Sequence, residues 1–215
     1  MKFILVPVFF LCCHSSFSQE KKQEPLSFQW AVHFSPLALI DFDNTVMLGG
    51  EYRLGKNIGV LLDAGYIFWS NYFTTITHAS GVHLRPSARL YFGKKMTEYV
   101  QLQGIWKHAR YEIYDWLERD VVNGVPSYSR LQEFNYKRDV LGLNIIIGEA
   151  MPVAKKLSID AYFGLGLRYR RQGVVNIPGS RYGSSDDQAW GGNRFREELL
   201  TASMPAGIRL TYYLR

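Results

Sequence analysis

Apolar and polar positions alternate along most of this chain. In the stretch LLTASMPAGIRLTYYLR, residues 199–215, every even position from Leu200 to Leu214 is apolar, while the odd positions between them read Thr, Ser, Pro, Gly, Arg, Thr and Tyr. A repeat of two is the mark of a strand with unlike faces. Clusters of Gly, Asn, Asp and Lys, which signal turns, divide the sequence after residue 27 into eight such runs, at 28–40, 45–54, 58–69, 81–92, 98–116, 136–149, 157–172 and 196–215. No helical period competes with them, and no repeat of the 20–50-residue kind is visible.

The connections alternate in length. Residues 55–57, 93–97 and 150–156 are short links, 70–80, 117–135 and 173–195 are long ones, and only the first connection, 41–44, departs from the pattern. Short turns at one end and long loops at the other describe an all-β, eight-stranded antiparallel up-and-down barrel, and transmembrane barrels have short periplasmic turns and longer extracellular loops.

Alternation alone does not separate a membrane barrel from a soluble lipocalin-like carrier, because both place unlike residues on opposite faces of each strand. The composition of the faces does. In the five cleanest strands the apolar face comprises the even positions of 46–54, 58–68, 82–92 and 200–214 and the odd positions of 157–169, and none of these is charged. The positions between them carry Glu51, Arg53, Asp63, Arg85, Arg89, Asp160, Arg168 and Arg209. A charge facing lipid at midplane costs roughly 2–4 kcal/mol for Arg or Lys, which explains a face that has none. The charged face is rich in Arg, Gly, Ser and Tyr and has no Lys, which describes a narrow packed lumen, where a guanidinium donates several hydrogen bonds in little space. Trp30, Tyr52, Phe68, Trp69, Tyr91, Phe92, Tyr99 and Tyr212 gather near strand ends, as interfacial girdles require. Two strands read less cleanly. In the fifth, Val100, Leu102 and Trp106 share a face but Tyr111 and Ile113 fall on the other, and in the sixth Val140 and Ile146 oppose Leu141, Leu143, Ile145 and Ile147. The pattern predicts a phase slip there, from a bulge or from strands rising beyond the bilayer.

Composition adds a compartment. The chain of 215 residues suits one domain or one barrel, and no internal segment has the 18 or so continuous apolar residues of a spanning helix. The one strongly apolar run, Phe3 to Cys13 behind Lys2 and ahead of Ser16-Phe17-Ser18, reads as a signal peptide over residues 1–18, followed by a polar tether at 19–27 and the barrel at 28–215. Both cysteines, Cys12 and Cys13, fall in that leader, so the exported product is expected to have no thiol or disulfide. The formal charge of +6 falls to +5 without Lys2, and no basic stripe with interleaved aromatics accompanies it, which argues against nucleic acid.

With these features in place, the segments GGEYRLGKN at 49–57, RPSARLYFG at 85–93 and FGLGLRYR at 163–170 resemble the small eight-stranded outer-membrane barrels, broadly OmpA/OmpX-like, and more narrowly a function-unassigned family of such barrels in Gram-negative bacteria. The resemblance implies residence in the outer membrane among phospholipid and lipopolysaccharide, insertion by the barrel-assembly machinery, and an unidentified extracellular partner at the loops. The chain departs from the pattern at Tyr213-Leu214-Arg215, where such barrels commonly finish on an aromatic residue that the assembly machinery reads.

Candidate chemistry is sparse. The eight charges named above form the expected lumen network, with Asp63 opposite Ser87 and diagonal to Arg85 and Arg89 if the loop at 70–80 is symmetric. An eight-stranded barrel is just wide enough for its side chains to fill, so no open pore is expected. Trp116, Tyr128, Phe134, Tyr182 and Trp190, near or within the long loops, form the candidate interaction surface. His33-Phe34-Ser35 and His78-Ala79-Ser80 each place a His and a Ser on one strand face, the spacing a nucleophile and base need, and a lipid A deacylase barrel uses a motif of roughly this kind; neither pair has an evident acid beside it. Asp186-Asp187 lacks the further spaced ligands of a Ca²⁺ site. The expectation is therefore no enzyme, no cofactor and no metal, and a structural or surface-interaction role, with a membrane-embedded lipid-modifying hydrolase and a soluble periplasmic lipocalin-like carrier as alternatives.

Overall fold

A computed structural model describes residues 28–123, 125–183 and 197–214. The expected signal peptide, the tether, Asp186-Asp187 and Trp190 lie outside the described residues. The rest forms one antiparallel sheet of nine strands: β1 (Trp30–Phe34), β2 (Asp43–Arg53), β3 (Ile58–Ser70), β4 (Ile76–Phe92), β5 (Glu98–Arg119), β6 (Tyr128–Ala154), β7 (Leu157–Val175), β8 (Glu198–Ser203) and β9 (Ala206–Leu214). Each strand from β1 to β6 pairs with the next in sequence, β6 pairs β7, β7 pairs both β8 and β9, and β9 pairs back onto β1. The sheet therefore closes in a ring of eight positions, with β8 and β9 sharing the last. Among the described residues no helix is long and apolar enough to cross a membrane.

Period two predicts these strands because one face of each is buried and the other is not. Leu62 and Leu165 on the outer face are 53% and 58% exposed, whereas Asp63 and Arg209 on the inner face are 1% and 0% exposed. Apolar side chains thus line much of the outer face and charged ones much of the inner face, where full burial of a charge requires a partner.

Three expectations are corrected. The first and last strands are not continuous. β1 stops at Phe34 and the chain turns into a short 3-10 helix, Pro36–Ile40, while β8 and β9 are separated at Met204-Pro205. Proline has no N–H to give a ladder and its φ suits the first turn of a helix. Second, the first two long loops are shorter than predicted. β4 begins at Ile76, and β5 and β6 stay in register from Glu98↔Glu149 to Arg119↔Tyr128, leaving only 120–127 as the turn. Asp120 and Asn123 take positive φ there, at 49° and 52°, a conformation these two residue types tolerate. Third, neither β5 nor β6 slips phase. Val100, Leu102 and Trp106 face out, and Gln101, Gln103, Lys107, Ala109, Tyr111 and Ile113 face in or are buried along the same odd series. The pattern misleads because the inner face itself becomes apolar toward the upper end, the end of the 71–75 and 120–127 turns.

Candidate functional site

The interior of the ring has three layers, and the lowest is a closed charge network. Arg89 on β4 is its hub. Its Nη1 donates to Glu51 at 3.2 Å and to the Tyr91 hydroxyl at 3.0 Å, its Nε and Nη2 donate to Gln101 at 3.2 and 2.9 Å, and Nη2 also donates to Asp160 at 3.1 Å. Tyr91 donates to the second Glu51 oxygen at 2.5 Å, and Tyr99 donates to Asp160. Arg209 on β9 lies 3.5 Å from Asp160 and 3.6 Å from Asp63, donates to Gln101 at 3.3 Å, and stacks 4.3 Å from the Tyr162 ring centre. His33 on β1 engages the other Asp63 oxygen. Arg53 stacks over Tyr91 and Phe28, at 3.8 and 4.2 Å. Two arginines, Arg89 and Arg209, thus meet three carboxylates, and buried charges are tolerable only when paired and hydrogen-bonded in this way. Gly148 makes room for the assembly, since a Cβ there would meet the Tyr99 ring and the backbone of Ala161.

The top layer is apolar. Ile67, Ile113, Leu117, Phe134 and Tyr136 project into the ring and are roofed by Phe73, from the 71–75 turn, and by Tyr182, from beyond β7. The Tyr182 hydroxyl donates to Asp115 at 2.8 Å, and its ring meets Phe73 edge-on at 5.3 Å.

Between floor and roof lies a cavity of about 630 Å³. Asp43 anchors one side, held by Lys107 at 2.6 Å, by Arg138, by the Ser70 hydroxyl at 2.6 Å and by the Tyr111 hydroxyl at 3.0 Å. Arg85, Arg168 and Arg170 also line it. Arg85 donates to His83 at 3.2 Å and Arg168 to the Thr201 hydroxyl at 3.2 Å. Among the described residues neither has a carboxylate within 4.0 Å. Ser35 and Gln103, 3% and 1% exposed, line the same space, and among the described residues Ser35 Oγ and Gln103 Nε2 have no hydrogen-bond partner.

This cavity opens through the wall. β1 ends opposite Leu48 and Leu210, so residues 43–47 of β2 have no β1 strand beside them, and among the described residues β8 pairs only with β7. The 3-10 helix covers part of the gap, and Leu37, Ile40 and Phe42 on one side and Met204, Ala206 and Ile208 on the other form its apolar margin.

The predicted site residues fall unevenly on this plan. Glu51, Arg53, Asp63, Arg89, Asp160 and Arg209 join the floor, whereas Arg85 and Arg168 belong to the cavity, with Arg168 exposed. Asp63 pairs in register with Arg85 rather than Ser87, because the turn is off-centre in the expected loop. Of the loop candidates, Trp116 and Tyr128 are exposed, but Phe134 and Tyr182 are buried in the roof and present no surface. His33 does have an acid beside it, contrary to the sequence reading, while His78 is exposed. An interior filled along its whole length is likewise not what is found. Sequence reasoning missed Asp43, Lys107 and Arg138; an unbroken odd and even phase through β5 and β6 is the signal that finds the last two.

A family model described as a protein of unknown function (DUF3575) matches residues 7–214, and the chain belongs to that family. No curated protein and no solved structure matches it.

Proposed function

From membership of that family and from the unlike faces of the ring, we propose that the protein is an eight-stranded outer-membrane β-barrel, similar in architecture to the OmpA/OmpX-like barrels, with its lumen shut and its role exercised through its upper, extracellular end. The observation that carries this reading is an uncharged outer belt of the right height. On β5 the outward positions between Glu98 and His108 are Val100, Leu102, Gly104 and Trp106, and on β6 those between Glu149 and Asp139 are Ile147, Ile145, Leu143 and Leu141; the two pairs of end residues are register partners. That span is roughly 33 Å of strand, which at a tilt of about 40° rises about 25 Å, the height of the apolar band of an outer-membrane barrel. Arg110 and Lys137, outward-facing partners just above, suit the polar headgroup zone. A soluble lipocalin-like carrier would present that belt to water, and it is not the reading adopted.

Lipopolysaccharide and phospholipid are the surroundings this reading assigns, the barrel-assembly machinery its insertion route, and an export signal its start. The polar floor and the apolar roof both obstruct axial flow, so solute flux at porin rates in planar bilayers is not expected. Heat-modifiable migration on gels and recovery in the outer-membrane fraction test the proposal. A mature chain that stays monodisperse in buffer without detergent refutes it.

A second reading, a lipid-modifying hydrolase, draws on the contact between His33 and Asp63, two residues from Ser35 on the same inner face. Against it, the Ser35 hydroxyl has no hydrogen-bond partner among the described residues, His33 included. The lipid A acyl pattern after expression of the natural chain and of Ser35→Ala decides between the two.

A further inference from the structure

The side opening has the features of a ligand port. Its margins are set by two prolines, Pro36 after β1 and Pro205 between β8 and β9, each of which withholds a backbone donor from the ladder that would seal the wall. Among the described residues β8 has one unpaired edge beside this gap. In hydrocarbon an unpaired strand edge is tolerated only where it is buried in protein or lines a polar cavity, and the β8 residue Ser203 lines this one.

The height of the mouth is also informative. Met204, Ala206 and Ile208 are the middle of the alternating run from Leu200 to Leu214, so the opening faces the centre of the apolar belt. Across the gap, Leu37 and Ile40 are 42% and 76% exposed. An entrance at that level is rimmed by these apolar residues and by the exposed Asp41 between Ile40 and Phe42, with the roof above and the floor below.

The inner wall is of opposite character. Five cationic side chains, Arg85, Lys107, Arg138, Arg168 and Arg170, line it against two carboxylates, Asp41 and Asp43. Asp43 is already engaged by Lys107 and Arg138, which leaves Arg85 and Arg168 outside every ion pair among the described residues. The Gln103 amide nitrogen and the Ser35 hydroxyl, on the same wall, are buried and have no partner among the described residues. These are hydrogen-bond donors, and a buried donor without an acceptor is costly. The missing complement is an oxygen anion.

We propose that this cavity takes an acyl lipid with an anionic head group laterally from the bilayer, with the chain in the apolar mouth and the acid on Arg85, Arg168 and the Gln103 amide. The inference rests on the membrane reading above and adds to it a ligand class. The cavity volume of about 630 Å³ falls within the roughly 300–1,000 Å³ of ligand pockets. Carboxylate and phosphate heads share the chemistry that the donors select, and the experiment separates them.

The full chain is placed in phosphatidylcholine nanodiscs and offered three photoactivatable diazirine probes of equal chain length: a fatty acid, a lysophosphatidic acid and the uncharged fatty alcohol. Cross-linked peptides are then located by mass spectrometry. At least one acid probe is expected to label residues 35–42 and 203–208 in preference to the rest of the outer face, and whichever acid labels more strongly names the head group. The alcohol is expected to label them at least about tenfold less, the equivalent of one charge-assisted hydrogen bond. The double variant Arg85→Ala/Arg168→Ala should lose the preference for acid, and Ala206→Trp, which fills the mouth, should lose the label while keeping heat-modifiable migration. Equal labelling by acid and alcohol, labelling spread evenly over the outer face, or labelling indifferent to both variants overturns the assignment. A chain that fails to co-purify with nanodiscs overturns the membrane reading itself, and the ligand with it; one that co-purifies without selective labelling overturns the ligand alone.

Discussion

The floor of the ring and the cavity above it are built from the same residue types and end in opposite states. Below, Arg89 and Arg209 meet Glu51, Asp63 and Asp160, Arg53 stacks on Tyr91, and tyrosine rings and hydroxyls fill the gaps between them. Above, Arg85 and Arg168 line open space with no carboxylate within 4.0 Å among the described residues. The difference lies in the wall as much as in the charges. The floor is ringed by strands with two partners each, whereas the cavity borders the one place where proline has removed a partner. An arginine satisfied by its own fold stabilises a plug; one left with donors to spare beside a breach in the wall is equipped to hold something that enters.

The largest contrast to test is in backbone protection. Amides of β8, which has one paired edge, should exchange with deuterium at least about a thousandfold faster than those in the middle of β3, which is paired on both edges, because local opening there is less costly by about 4 kcal/mol. Comparable protection of the two strands would mean that the wall is sealed. Within the floor, Asp160→Ala strands two buried arginines and should destabilise the protein by about 3–5 kcal/mol, read as a fall in the urea midpoint of tryptophan fluorescence in detergent. Gly148→Val at the same level displaces the Tyr99 ring from Asp160 and should cost about 1–3 kcal/mol through overpacking, by the same measurement. At the cavity, Arg168→Ala removes an exposed side chain with one hydroxyl contact, and its effect on the midpoint should stay within about 0.5 kcal/mol. If Arg168→Ala destabilises as strongly as Asp160→Ala, the two layers do not differ in the way proposed.

The strands were legible for a simple reason. A sheet with charges on its inner face and apolar side chains on its outer face alternates with period two, and the outward positions of 46–54, 58–68 and 200–214 carry no charge, although Met47, Leu61 and Ile67 point inward. The same rule hid the upper parts of β5 and β6. There Ala109, Tyr111 and Ile113 face inward onto a roof that is itself apolar, so a change in what fills the interior resembled a change in which way the chain points. Asp43 was out of reach because it lay next to a connection of irregular length, and its partners Lys107 and Arg138 come from strands whose phase had been doubted. Phe134 and Tyr182 read as loop surface because composition alone does not distinguish an aromatic that meets a partner from one that meets Phe73.

By itself the sequence determined the alternation, the number of ring positions and the segregation of charge, since each follows from residue spacing along a single strand. It also carried, unread, the two prolines that break the wall. Only the tertiary structure decided which charges are consumed and which are left over, because that depends on register between strands far apart in sequence. Arg89 and Asp160, seventy-one residues apart, meet at 3.1 Å, whereas Arg85, four positions from Arg89 on the same strand, faces a cavity instead. Whether a side chain closes the interior or remains available is a property of what stands across the ring from it, and no local pattern records that.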